Sequence, residues 1–450
     1  MRPFPIPQSL REYARVFRDA GRQAWLVGGA LRDMILGKKV NDWDVATDAP
    51  AKEVARMFPR VIPTGIQHGT VTVLWKGLTI ETTTFRVDGD YGDGRRPDSV
   101  TFTSDIREDL RRRDFTMNSL AYNLETGELL DPHGGREDLA AGLVRAIGDP
   151  VERFTEDGLR PLRAVRFASQ LDYRIDPRTL AAIPRTLENF RRVSVERVRD
   201  ELVKILLSPR PSYGLKLLED TGMLPDILPE LSACRGIEQK GFHRFDVLDH
   251  SFLSCDGAPE RIELRLAALL HDIGKPAARA EGPDGLPTFH RHEELSARGT
   301  EEAMRRLKFP NAVIASVSHL VRHHMFAYDE SWGDAAVRRF LARTGPESLE
   351  DLLALRLADA YGTTGERPDP RGLDPLRRRV EDLLGRSRAL SIKDLAIGGN
   401  ELAALGVPRG PVMGRILAEL LETVLDDPEL NTPERLRDIA GRIKGKYGIS

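Results

Sequence analysis

Residues 24–33 read Ala24-Trp25-Leu26-Val27-Gly28-Gly29-Ala30-Leu31-Arg32-Asp33, and residues 41–45 read Asn41-Asp42-Trp43-Asp44-Val45. The short apolar run before the paired glycines predicts a buried strand closed by a tight turn. A helix-like segment over 30–36 follows and stops at Gly37. Adjacent glycines ahead of a helix let backbone approach a phosphate, and the helix N-terminus favours its negative charge. Asp42 and Asp44 stand at i and i+2, a spacing that puts both side chains on one face of a strand. Two carboxylates that close repel each other unless a cation lies between them. Mg²⁺ prefers oxygen ligands and completes its shell with substrate phosphates. Glu81, on a later strand, is either a third carboxylate for the same cations or an ordinary solvent-facing strand residue.

Outward from this stretch, two β-branched runs over 70–75 and 78–85 flank Lys76-Gly77, a hairpin signal. Beyond about residue 150 the pattern is almost wholly helical, as over 195–207 and 262–270. The expected architecture is therefore one α/β domain ahead of a long helical body. Residues 282–287 read as a turn-rich insertion and 363–375 as a linker. The chain has 450 residues, a formal net charge of −2, 40% hydrophobic and 30% charged residues. That is the composition of a soluble globular protein, and it excludes disordered and collagen-like classes. No apolar stretch approaches the ~20 residues of a membrane span. The N-terminal residues lack an apolar core, so no secretory signal is expected. Two cysteines, Cys234 and Cys255, exclude a disulfide framework and a cysteine zinc site and suit a reducing, cytoplasmic setting.

Charge is uneven. Residues 150–210 hold 13 Lys and Arg against 9 Asp and Glu. Most of the positive charge is arginine, whose planar fork suits phosphate.

The segment from Leu26 to Thr47 resembles the opening motif of class II tRNA nucleotidyltransferases, the family of CCA-adding enzymes and bacterial poly(A) polymerases. Four further motifs follow in the family's order. Arg112-Arg113-Asp114-Phe115-Thr116-Met117-Asn118 resembles the segment that holds ribose and triphosphate. Asp131-Pro132-His133-Gly134-Gly135 resembles the next turn. Glu156-Asp157-Gly158-Leu159-Arg160, with Arg163 and Arg166 beyond it, resembles the Glu-Asp-x-x-Arg element. Ser194-Val195-Glu196-Arg197 followed by Glu201 resembles the last motif, on a helix below the site. The resemblance implies a polymerase-beta-like head in which Asp42, Asp44 and Glu81 are catalytic, with Mg²⁺ on Asp42 and Asp44. It implies nucleotide binding by Gly28, Gly29, Arg32, Arg112, Arg113, Asp114, Asn118, Asp157, Arg160, Arg163 and Arg166.

Asp157 and Arg160 form the implied base reader. Asp accepts from an exocyclic amine and Arg donates to a ring nitrogen, an arrangement that cytosine and adenine both satisfy. Their i, i+3 spacing permits one helix face. The Gly- and Asp-rich stretch 88–98 predicts a mobile loop. In the resembled family such a loop accompanies addition of the terminal A.

A second motif, Leu270-His271-Asp272-Ile273-Gly274-Lys275-Pro276, has His250 upstream on a helical segment and Leu357-Ala358-Asp359-Ala360 downstream. It resembles the HD phosphohydrolase superfamily, which implies a metal on His250, His271, Asp272 and Asp359. Imidazole with carboxylate suits a divalent transition metal better than Mg²⁺. Of the ten histidines, His292, His323 and His324 leave a second metal open. His290 and His319 read as surface or core residues. Near the C-terminus, a Gly-rich turn over 405–410 between two helices predicts a contact to RNA phosphate.

The expected organisation is a nucleotidyltransferase head over 1–146, a helical neck over 147–235, an HD domain over 236–365 and a tRNA-binding tail over 366–450. The expected activity is template-independent addition or repair of the 3′-terminal CCA of tRNA from CTP and ATP. A-only addition, poly(A) synthesis, and an HD hydrolase with an RNA-binding head are the alternatives, in that order.

Overall fold

The computed structural model describes residues 4–40, 42–89, 100–239, 244–283, 285–329, 331–386 and 390–449. Asn41 and most of the expected mobile loop lie outside these residues. The chain divides into two compact units: Met1–Ser232 with Arg306–Lys308, and Ala233–Arg305 with Phe309–Ser450.

The first unit opens with helix α1 (Gln8–Asp19) and strand β1 (Ala24–Val27), all four of whose residues are buried. Helix α2 (Gly28–Ile35), strand β2 (Trp43–Thr47), strand β3 (Val61–Gly65) and the hairpin β4 (Thr70–Trp75) and β5 (Leu78–Thr84) follow. Lys76 and Gly77 both have positive φ, 44° and 83°, the two-residue turn whose twist matches flanking antiparallel strands. With Ala121–Asn123 and Leu129–Leu130 the strands form one seven-stranded mixed sheet. Its order is β3, β4, β5, β2, β1, then these two. β2 and β5 run parallel, with Asp44 opposite Glu81. α1 closes one face through Tyr13, which stacks on Phe58 at 4.6 Å and bonds Thr82 Oγ1 at 2.6 Å.

Three expectations change. Asp42 precedes β2, whose first paired residue is Trp43, so only Asp44 of the acidic pair sits on the strand. Helix Pro150–Glu156 ends before Asp157, and a new helix, Arg160–Leu171, starts at Arg160. The Asp157/Arg160 pair therefore spans a turn instead of one helix face. Gly158 sits in that turn with room for no Cβ, which would lie 2.3 Å from Asn189 O. The supposed linker over 363–375 is partly ordered: helix Leu349–Thr364 enters it and a 3-10 turn occupies Pro370–Leu373.

Among its described residues the second unit is helical apart from the small hairpin Ala280–Glu281 and Pro287–Thr288, which brackets the expected turn-rich insertion. Helices Val247–Gly257 and Leu349–Thr364 approach closely at Gly362, where a Cβ would stand 2.6 Å from His250 O. A separate apolar cluster, including Leu402, Ile416, Leu420 and Leu436, forms the core of the C-terminal helices. Gly399–Ala404 and Pro411–Asp426 are the two helices expected around the Gly-rich turn.

Candidate functional site

The β1–α2 turn builds the first site. Gly28 has φ +66°, and a Cβ there would lie 2.9 Å from Asp44 Oδ2. Glycine is thus required twice, by its backbone conformation and by the approach of the carboxylate. The Gly29 N–H donates to Asp44. Burial pushes the Asp44 carboxyl up to about 6; Glu81 and Asp42 push the same way, and Arg113 opposes them. A carboxylate so disfavoured, beside two others, is the donor set of a hard divalent cation.

All 14 residues of the head and neck singled out from the sequence as catalytic or nucleotide-binding line one cleft of about 830 Å³. Arg32 donates to Asn118 Oδ1 at 3.1 Å. Arg112 and Arg113 are held by Asp109 at 2.7 and 3.2 Å. Burial raises Asp109, but the two guanidinium groups outweigh it and the carboxyl ends below its ordinary range. Asp114 is buried and would also rise, yet Arg163 and Asn118 hold it down. Its carboxylate accepts from Arg163 Nε at 2.9 Å and Asn118 Nδ2 at 2.9 Å. Burial lowers Arg166 to about 10 despite its ion pair with Glu201.

Sequence reading missed the residue that organises these arginines. Phe167 stands inside the cleft lining, with Arg166, Arg32 and Arg163 at 3.6, 5.1 and 5.4 Å from its ring centroid. Its only sequence signal is an aromatic residue beside an arginine run. Arg160 bonds Glu156, and the carbonyls of Arg153 and Arg112, at 2.5, 2.9 and 3.1 Å. Asp157 accepts from the Leu159 N–H at 3.0 Å and from Arg197 at 2.8 Å.

The second unit holds its own cluster beside a cleft of about 750 Å³. His250 Nε2 lies 3.0 Å from His271 Nε2, 3.4 Å from Asp272 Oδ2 and 3.3 Å from Asp359 Oδ1. The other oxygen of Asp272 faces His292 Nε2 at 3.2 Å and His324 Nε2 at 3.9 Å. Two groups that could hold an ion thus share Asp272: His250 with His271, and His292 with His324. The extra histidines differ in orientation. His292 and His324 turn in, while His323 packs against His319 at 4.6 Å. The His319 ring bonds the Thr344 carbonyl, and His290 is exposed at the cleft rim.

Ring orientation supports metal binding. The Nδ1 atoms of His271, His292 and His324 each meet a backbone carbonyl, at 2.9, 2.9 and 2.7 Å. Donation to those carbonyls places the Nδ1 proton outward and leaves the Nε2 lone pairs converging. Nε2 atoms 3.0–3.3 Å apart with their lone pairs facing one another repel unless a proton or a cation lies between them. Burial pushes His271 down, yet Asp272 and Asp359 outweigh it and lift it to about 10, so without an ion a proton takes the place on Nε2 that a cation would fill. Asp272 Oδ1 is buried without a regular hydrogen bond.

An arginine-walled cleft with three carboxylates at its floor, on a mixed head sheet ahead of a helical body, defines a nucleotidyltransferase of the polymerase class. Residues 24–145 match the Poly A polymerase head domain, 172–234 the probable RNA and SrmB-binding site of polymerase A, and 243–364 the HD domain. The chain is 34% identical over 445 residues to a CCA-adding enzyme of Enterococcus faecalis, covering 98% of each. It is 34% identical over 420 residues to a CCA-adding enzyme of Geobacillus stearothermophilus, covering 93% of each. The crystal structure of a Bacillus stearothermophilus CCA-adding enzyme in complex with CTP superposes with a TM-score of 0.74 at 29% identity, over 100% of this chain and 99% of that one. The chain belongs to the CCA-adding enzyme family. It carries a head that uses divalent metal, together with an HD domain. Among the described residues no helix is long and apolar enough to cross a membrane.

Proposed function

We propose that this chain completes or repairs the 3′-terminal CCA of tRNA from CTP and ATP, in the cytoplasm, with Mg²⁺ held by Asp42, Asp44 and Glu81. The observation that carries the reading is the register of β2 on β5. It sets Asp44 opposite Glu81, beneath the Gly29 N–H and beside Asp42. Bound Mg²⁺ supplies activation of the RNA 3′-hydroxyl and charge neutralisation on the leaving pyrophosphate. Arg32, Arg112, Arg113, Arg163 and Arg166 bind the triphosphate, and Asp114 orients Arg163 and Asn118. Asp157 accepts from the amine of cytosine or adenine. Arg160 keeps two of its five donors free of the three bonds above and offers them to the ring nitrogen. The stretch 366–450 binds tRNA.

The HD cluster holds divalent transition metal on His250, His271, Asp272 and Asp359, with a second ion on Asp272, His292 and His324. It hydrolyses phosphate esters.

Two tRNA transcripts test the head, one ending at the discriminator base and one ending in CC. With CTP and ATP the first gains CC and then A, and stops. A single A added only to the CC-ended transcript would show an A-adding enzyme instead, and a long A ladder a poly(A) polymerase.

The Asp44 carboxyl also predicts a pH dependence. Its folded value, about 6, lies above its ordinary 3.8, so the folded chain binds the extra proton between these limits. Without a cation this group costs stability as pH rises through that window, and in full above it. Mg²⁺ bound to the ionised form reverses the cost. The rise in Tm caused by Mg²⁺ is therefore larger at pH 7.5 than at pH 5. An equal rise at both would contradict the coupling.

A further inference from the structure

The turn between helices Pro150–Glu156 and Arg160–Leu171 leaves Asp157 outside either helix, so helical backbone does not aim its side chain. Two contacts do. One oxygen takes the Leu159 N–H at 3.0 Å, which ties the carboxylate to its own turn. The other takes Arg197 Nη2 at 2.8 Å. Arg197 comes from the separate helix Val195–Leu206 and is not part of the cleft lining that Asp157 itself joins. Its second terminal nitrogen is buried and has no hydrogen-bond partner. The guanidinium is thus committed to Asp157 and to no other acceptor among the described residues.

Resting on the reading of Asp157 as the amine acceptor, we propose that Arg197 is a specificity-determining positioning residue. It anchors the Asp157 carboxylate so that an acceptor already faces the incoming base. Cytosine and adenine present an amine at that point; uracil and guanine present a carbonyl. A fixed carboxylate oxygen repels the carbonyl, and that repulsion carries the discrimination. A carboxylate held only by its own turn swings away, and the repulsive element goes with it. Arg197 is not among the residues that line the cleft, so its loss acts on the choice of base and leaves the triphosphate contacts of the arginine wall in place.

The test compares kcat/KM for ATP against GTP on a CC-ended tRNA, and for CTP against UTP on a tRNA lacking CCA. It uses the full chain with Arg197→Met, Arg197→Gln, Arg197→Lys and Asp157→Ala. The Met variant is expected to lower both discrimination ratios about ten- to hundred-fold, chiefly by faster use of GTP and UTP. The Lys variant, which keeps a cation there, restores part of each ratio. Gln preserves the stem and serves where Met impairs folding, as thermal melting reports. Collapse of the ratios in Asp157→Ala but not in Arg197→Met or Arg197→Gln overturns the proposal alone. A uniform loss on all four nucleotides in the Arg197 variants also overturns it, since that is a structural role. Unchanged ratios in Asp157→Ala remove the base-reading role itself, and the proposal with it.

Discussion

Asp44→Ala is expected to lower nucleotide addition by about a thousand-fold or more, because a catalytic cation is worth several kcal/mol at about 1.4 kcal/mol per tenfold in rate. The loss falls on kcat in single-turnover extension of a CC-ended tRNA, with ATP binding changed far less. Stability moves the other way. The buried carboxyl, pushed up to about 6 by burial and by Glu81, is a strained group above that pH. Asp44→Asn therefore melts higher than the parent at pH 7.5 in the absence of divalent cation. An inactive variant that melts lower would point to a structural role for Asp44. An active one would remove it from the metal site. Mg²⁺ should no longer raise Tm in either variant, which separates loss of the cation from loss of the fold.

The second large effect belongs to Asp272. Both groups of the HD cluster share its carboxylate, so Asp272→Ala is expected to abolish metal binding at both, whereas His324→Ala removes one ion and keeps the other. Metal content by elemental analysis reads the difference directly. Equal metal content in the two variants would refute the shared-ligand arrangement. Asp272 also neutralises the buried ammonium of Lys275 at 2.6 Å, which otherwise meets only uncharged groups among the described residues, the side-chain oxygen of Gln239 at 2.5 Å and the Phe289 ring at 5.7 Å. Leaving that charge with a neutral partner costs about 3–5 kcal/mol, seen as a fall in the urea midpoint. The double change Asp272→Ala with Lys275→Met recovers much of the midpoint and none of the metal.

Much of this molecule was legible in one dimension. Chemistry confined to a few adjacent residues needs no tertiary information. Gly28-Gly29 favours a turn because glycine takes the φ of +66° there without the strain a side chain adds. Lys76-Gly77 had to close a hairpin, and His271-Asp272 had to present two donors at a helix end. The motifs that carry the family resemblance are local in the same sense, and every head residue they nominate lines the same cleft.

What the sequence left open involves residues far apart along the chain or a backbone break between near neighbours. Glu81 could have faced solvent; the parallel register of β2 on β5 sets it beside Asp44. His292 and His323 looked alike in sequence. Helical rotation on the Asn311–His323 helix turns His323 toward His319, while the next residue, His324, points inward. Asp157 and Arg160 looked like one helix face until the chain broke at Gly158, where backbone of residue 189 admits no side chain. Arg197 and Phe167 carry no motif chemistry of their own. Their roles come from what they touch, Asp157 in one case and three guanidinium groups in the other. The sequence determined which groups were available and where the backbone had to turn. Only the tertiary structure decided which of them share a charge, because Coulombic and hydrogen-bond energies depend on distances of a few ångströms that sheet register and helix rotation set.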